Sequence, residues 1–141
     1  MKEPDDILWL VAGGRDFTDR SFVFRCLDRM SERMGMPDLL MHGHCPTGAD
    51  ALADEWAFSR RVHVLRVPAL WGPLGKCAGP TRNATMAHLA AQLGAKLCIT
   101  FPGGTGTEDM ARRAKQHRIQ VAEIERQCVT WTPPLPTRGE E

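Results

Sequence analysis

Six consecutive residues, Pro102-Gly103-Gly104-Thr105-Gly106-Thr107, follow the apolar run Leu97-Cys98-Ile99-Thr100-Phe101 and precede a stretch with helical spacing from Glu108. A strand, a glycine turn and a helix start in that order are suited to holding phosphate. Glycines let backbone N–H groups approach an anion without a Cβ in the way, and the helix points its positive dipole end at the same place. Gly103, Gly104, Thr105, Gly106 and Thr107 are therefore candidate ligand-binding residues. Thr105 and Glu108 have the T-x-x-E spacing of a capping box, which predicts the helix start. The plainer alternative is a tight turn with ordinary glycines. Two better-known phosphate motifs are excluded: counted from Gly104, the third glycine of G-x-G-x-x-G is Asp109, and Gly75-Lys76 is followed by Cys77 where a Walker loop needs Ser or Thr.

Further candidates stand at other strand ends. Gly13-Gly14-Arg15-Asp16 follows an apolar run, so Arg15 can bind phosphate through its planar donor fork while Asp16 orients a ribose hydroxyl or Arg15 itself. Gly43 follows Leu39-Leu40-Met41-His42 and offers backbone amides to the same ligand. His42, His44 and Cys45 do not read as a metal site, because histidines on opposite sides of a strand end more often make turn contacts. Asp50 reads with Thr47 as helix-start capping. In the segment 71–83, Trp71 can stack a base, Lys76 can screen phosphate charge, and Arg82 with Asn83 can fix phosphate or sugar from a first helical turn. A core tryptophan and solvated basic residues are the plainer alternative there.

These residues need a scaffold, and the hydrophobic periodicity supplies one. Ile7 to Ala12 reads as a strand buried on both faces, and Asp19 caps a helix with Val23, Leu27, Met30 and Met34 on one side. Residues 39–42 form a second strand, and Ala49, Leu52, Ala53, Trp56 and Ala57 follow a helical repeat. Residues 62–67 form a third strand, and 68–79 a long Pro- and Gly-containing loop. Pro80 sits in the first turn of a third helix that buries Met86, Leu89, Ala90 and Leu93. Strands at 96–101 and 119–124 enclose a fourth helix ending near His117. Five alternations predict one α/β Rossmann-like domain, with a five-stranded parallel sheet in the order 3-2-1-4-5 and helices on both faces. That order makes the first and fourth strands neighbours and brings their glycine turns into one crevice at the carboxyl ends. The expected organisation is an extension over 1–6, the domain over 7–124, and a Pro-containing tail over 125–141 that Trp131 pins to this domain or to a neighbouring subunit.

Composition narrows the function classes. Eighteen Lys and Arg against 17 Asp and Glu leave a formal charge of +1, so an anion site must be local and nucleic acid is not an expected partner. Five scattered cysteines suggest neither a disulfide framework nor a zinc ribbon, and fit reduced thiols in a cytoplasm. The six-residue apolar run after an acidic N-terminus is too short for a signal segment or a membrane span.

Four segments in order, Gly-Gly-Arg-Asp-Phe (13–17), His-Gly-x-x-x-x-Gly-Ala-Asp (42–50), Trp71 with Gly75 and Ala78-Gly79-Pro80-x-Arg82-Asn83, and Phe-Pro-Gly-Gly-x-Gly-Thr (101–107), resemble the YspA, or cpYpsA-related, group of the SLOG superfamily over about residues 7–124. The resemblance implies a Rossmann-like sheet, a site for a nucleotide-derived ligand of nucleoside phosphate, NAD or ADP-ribose type with no further cofactor required, and self-association. Lonely Guy phosphoribohydrolases of the same superfamily cleave N-glycosidic bonds with an arginine, which Arg82 resembles, and the glutamate of P-G-G-x-G-T-x-x-E. Here Met110 holds the glutamate position. Glu108 and Asp109 are one or two residues away, which turns a helical side chain by roughly 100–200°. The leading expectation is a binding protein that senses, carries or sequesters its ligand. The alternative is hydrolysis of an N-glycosidic or phosphate-ester bond, with Arg82, Asp16, Glu108 and Asp109 as candidate catalytic residues. Single-stranded DNA binding, implied by DNA-processing protein A in the superfamily, is the third and least favoured.

Overall fold

The computed structural model describes residues 6–126 and 128–134. Of the expected extension and tail, residues 1–5, 127 and 135–141 lie outside these. One sheet carries the strands β1 (Leu8–Ala12), β2 (Leu39–His42), β3 (His63–Arg66), β4 (Leu97–Thr100), β5 (Gln120–Ile124) and β6 (Val129–Thr132). The helices are α1 (Arg20–Met34), α2 (Ala49–Ser59), α3 (Trp71–Leu74), α4 (Ala78–Gln92) and α5 (Thr105–Gln116). The sheet order is β3-β2-β1-β4-β5-β6.

The first five strands are parallel in the expected order, with Trp9 opposite both Leu40 and Leu97 at the centre. The expectation of five parallel strands needs correction, because β6 adds antiparallel to β5 with Ile124 opposite Val129. The prolines that suggested a tail begin only at Pro133. Before them, Val-Thr-Trp-Thr has the β-branched and aromatic residues of a strand, and the prolines end it at a sheet edge where a missing N–H costs little. The chain reverses before it through an N–H bond from Glu125 to the Cys128 carbonyl at 2.8 Å. Trp131 packs against this domain's own core and lies 5.6 Å from the Arg33 guanidinium.

Strand alternation divides the core into two. Trp9, Val11, Leu97 and Ile99 face α1 and α2, where Trp9 stacks on Trp56 with centroids 5.8 Å apart. Leu8, Leu10, Cys98 and Val121 face α4 and α5. Burial pushes the Cys98 thiol up to about 12, so it behaves as a small apolar group. Asp19 caps α1 as expected, its Oδ1 accepting the Phe22 N–H at 3.1 Å. The Trp56 indole N–H donates to Asp28, which also holds Arg60 through two bonds and so ties α1 to α2.

The segment 68–79 is more ordered than a loop. It contains α3 and a single 3-10 turn over Gly75–Cys77, and α4 begins two residues before Pro80. The first three N–H groups of a helix have no partner within it, so proline is tolerated at the third position, which Pro80 occupies in α4 and Pro73 in α3. Among the described residues, no helix is long and apolar enough to cross a membrane.

Candidate functional site

The carboxyl ends of β1, β2 and β4 open into one cleft of about 1160 Å3, the place where a doubly wound sheet receives ligands. Its walls take residues from all four segments, including Gly14, Arg15, Gly43, Arg82, Gly104 and Thr107. Every sequence-predicted site residue lines it.

The glycines of these turns fall into two groups. Gly13, Gly14, Gly43, Gly48 and Gly103 are packing positions, where an added Cβ would meet backbone or side-chain atoms at overlapping distance. On Gly14 it would lie 2.8 Å from the Pro102 carbonyl oxygen, which accepts the Gly14 N–H at 2.9 Å. The β1 and β4 turns are in contact through this bond. Gly104 and Gly106, by contrast, have open space on the Cβ side, with nothing within 4 Å.

The capping box expected at Thr105 and Glu108 does not form, and the helix starts one residue earlier than it predicts. Gly104 is the N-cap, Thr105 is the first helical residue, and no side chain caps the helix. The first intrahelical acceptor, the Gly104 carbonyl, takes the Glu108 N–H at 3.1 Å. The N–H groups of Thr105, Gly106 and Thr107 therefore have no acceptor within α5 and stand at its positive end. This is the geometry of an anion cradle.

Arg82 rises from the first turns of α4 and is held at both ends of its guanidinium. Nη1 donates to the Gly43 carbonyl at 2.6 Å and Nε to the Asn83 Oδ1 at 2.9 Å. Asn83 is buried, and its Nδ2 donates to the Gly106 carbonyl at 3.1 Å and to Asp109 Oδ2 at 3.0 Å. This amide joins α4 to the start of α5. Arg15 and Trp71 are both exposed and meet in a cation–π contact at 5.0 Å, and the Trp71 ring rests on Gly79. Lys76 and Asp16 lie at the exposed rim.

The acidic candidates differ in how they are engaged. Burial pushes the Asp109 carboxyl up, but hydrogen bonds from Asn83, Arg113 and Arg112 outweigh it and hold the group below the usual carboxylate range. Glu108 is exposed. Met110 is fully buried in the core beneath α5.

The loop after β2 corrects two expectations. The N-cap of α2 is Gly48, without a side-chain bond, and Thr47 Oγ1 instead donates to the Arg15 carbonyl at 3.0 Å, joining the β1 and β2 turns. Asp50 is the second helical residue, 5% exposed, and its Oδ2 accepts the Cys45 N–H at 3.3 Å. His42 makes the expected turn contact: Nδ1 accepts the His44 N–H at 2.9 Å, which leaves the proton on Nε2 to donate to Asp54 Oδ2 at 2.6 Å. Asp54 in turn accepts two bonds from Arg66. This relay, buried at His42 and opening to solvent at Arg66, was missed in the sequence, since the carboxylate stands twelve residues along the chain on another element.

Residues 10–72 match the YspA, cpYpsA-related SLOG family. The SLOG match covers Gly13 to Asp16, the whole loop after β2 and Trp71, and stops short of Arg82 and the α5 cradle. The resemblance expected across 7–124 is thus borne out over residues 10–72. No curated protein matches the chain.

Proposed function

We propose that this chain binds a nucleotide-derived small molecule, a nucleoside phosphate or an ADP-ribose-like compound, with its phosphate at the start of α5. The observation that carries the reading is the pairing of unobstructed Gly104 and Gly106 with the amides of Thr105 to Thr107, which have no acceptor within α5, in a cleft that Arg82 also enters. Trp71 and Arg15 supply a flat cationic surface for a base at the rim. The SLOG match supports a nucleotide-related ligand. Binding without turnover is favoured over hydrolysis because Met110 is buried where Lonely Guy enzymes have a glutamate, and Asp109 is occupied by three donors.

The test is native mass spectrometry of the protein with AMP, ADP-ribose, NAD and cyclic nucleotides, following retained mass and products. One or more should be retained unchanged. Gly104→Asp, which places a carboxylate in open space at the cradle, should weaken retention at least about tenfold, or about 1.4 kcal/mol. Equal retention by the variant would place the phosphate elsewhere, and release of free base would replace binding with hydrolysis.

A further inference from the structure

Asp50 stands apart from the other carboxylates of the cleft. Asp109 is held by three donors, and Asp16 and Glu108 are exposed to water. Asp50 is buried to 5% exposure, yet none of the described cationic side chains comes within 4.0 Å of it. Its partners are the Cys45 N–H at the long distance of 3.3 Å and the Cys45 thiol. Burial first, and then this carboxylate, push that thiol up, so Cys45 is a protonated, weak donor. A carboxylate has room for about four hydrogen bonds, and this one, in the first turn of α2 where the helix dipole favours its charge, has only these protein donors, which leaves acceptor capacity for a ligand.

Gly43 brings the Arg82 guanidinium beside Asp50, but its carbonyl, not the carboxylate, takes the Arg82 Nη1 donor at 2.6 Å. A Cβ built there would run into the Arg82 guanidinium on one side and lie 3.1 Å from Asp50 Oδ2 on the other. With no side chain at Gly43, the Arg82 guanidinium takes that space beside Asp50 and is held there by the Gly43 carbonyl. Both groups line the cleft. An acceptor-only group and a donor-only group therefore face the same space side by side.

A ligand matching that pair carries hydroxyl donors next to an anionic or carbonyl acceptor. A divalent cation does not match, because it requires several oxygen ligands and would sit against a guanidinium. A free phosphate does not match, because its oxygens would face the carboxylate. Two vicinal hydroxyls match well, one for each carboxylate oxygen.

We infer that Asp50 recognises the 2′,3′-diol of a ribose, so that the cleft selects ribonucleotides over their deoxy counterparts. The inference rests on the nucleotide reading above and names the sugar within it. Specificity of this kind can be large, since a ligand lacking the hydroxyls would leave the buried carboxylate in the state it has now.

The experiment is calorimetric titration of the wild-type protein and Asp50→Asn with AMP, 2′-deoxy-AMP, 2′,3′-dideoxy-AMP and inorganic pyrophosphate. Melting temperatures of both proteins establish that the variant is folded, and Asp50→Glu serves as a second variant that keeps the charge while shifting its position. Wild type should prefer AMP to the dideoxy compound by at least about tenfold, the deoxy compound falling between. Asp50→Asn should reduce that preference to less than about threefold without weakening pyrophosphate. Glu should leave an intermediate preference.

Equal wild-type affinity for AMP and the dideoxy compound overturns the inference and leaves the nucleotide reading intact. An unchanged preference in a folded Asp50→Asn protein also overturns it and assigns the sugar to another group. No binding of any of the four compounds, together with no retention of ADP-ribose, NAD or cyclic nucleotides, removes the nucleotide reading and this inference with it.

Discussion

Arg82 Nη1 donates to the Gly43 carbonyl oxygen at 2.6 Å, spanning 39 residues of sequence and fastening the start of α4 to the exit of β2. With Nε given to Asn83, two of the five guanidinium N–H donors are committed, and the remainder are free for an anion. Arg82→Ala should weaken AMP at least about tenfold, equivalent to about 1.4 kcal/mol. Arg82→Lys keeps the charge but loses the fork and should fall between. Calorimetric titration separates these cases, and full affinity in a folded Ala variant would confine Arg82 to a structural role.

The His42 relay governs the same loop from beneath. Removing the imidazole leaves the His44 N–H without its acceptor and Asp54 without one of its donors, a loss of about 2–3 kcal/mol for His42→Ala. Denaturant unfolding at neutral pH measures it. A change below 0.5 kcal/mol would show that the loop holds its shape without the relay.

Asp54 gives the relay a pH signature. The Arg66 hydrogen bonds hold its carboxyl below the ordinary 3.8, against the opposing effect of partial burial and with help from His42. A carboxylate lowered on folding adds stability above its unfolded value and loses it as pH falls through the folded value. Wild type should therefore exceed Asp54→Asn in stability at neutral pH, with the gap closing only below pH 3.8. A gap that stays constant through that acid range would mean that the charge contributes nothing.

Much of this arrangement was legible in the sequence because it depends on local pattern. Continuous apolar runs marked the parallel strands, and Ala49, Ala53, Trp56 and Ala57 marked a helix face that is now fully buried. The cleft followed from strand order, since glycine turns at the ends of neighbouring strands must meet. What escaped is long-range pairing. A strand of four residues before prolines is hidden by its neighbours in sequence, and only β5 makes it a strand. Asp50 looked like a cap because Thr47 stood three residues before it, but Thr47 bonds Arg15 instead, which no spacing rule records.

The two kinds of glycine should respond oppositely to alanine. Gly48 has a φ of +79°, and a Cβ there would overlap the Gly14 carbonyl and Arg15. Gly48→Ala should cost about 2–4 kcal/mol and lower the melting temperature accordingly. Gly104 has no neighbour within 4 Å, so Gly104→Ala should keep stability within about 0.5 kcal/mol while reducing phosphate affinity. Paired thermal and ligand titrations decide this. Strong destabilisation by Gly104→Ala would place that residue among the packing glycines.

Trp71 offers a direct optical report on the rim. Trp9 and Trp56 are buried and Trp131 is half-buried, whereas Trp71 is 47% exposed and carries the Arg15 guanidinium 5.0 Å from its ring. A base stacked there would change the emission of this indole while leaving the core pair shielded. Nucleotide addition should therefore quench the red-shifted part of the spectrum, and Trp71→Ala should abolish the quench. Base stacking contributes about 1–3 kcal/mol, so the variant should lose about fivefold or more in AMP affinity but little for pyrophosphate, which has no ring to stack. Equal losses for both compounds would mean that Trp71 shapes the α4 end of the cleft through its contact with Gly79 and does not touch the base.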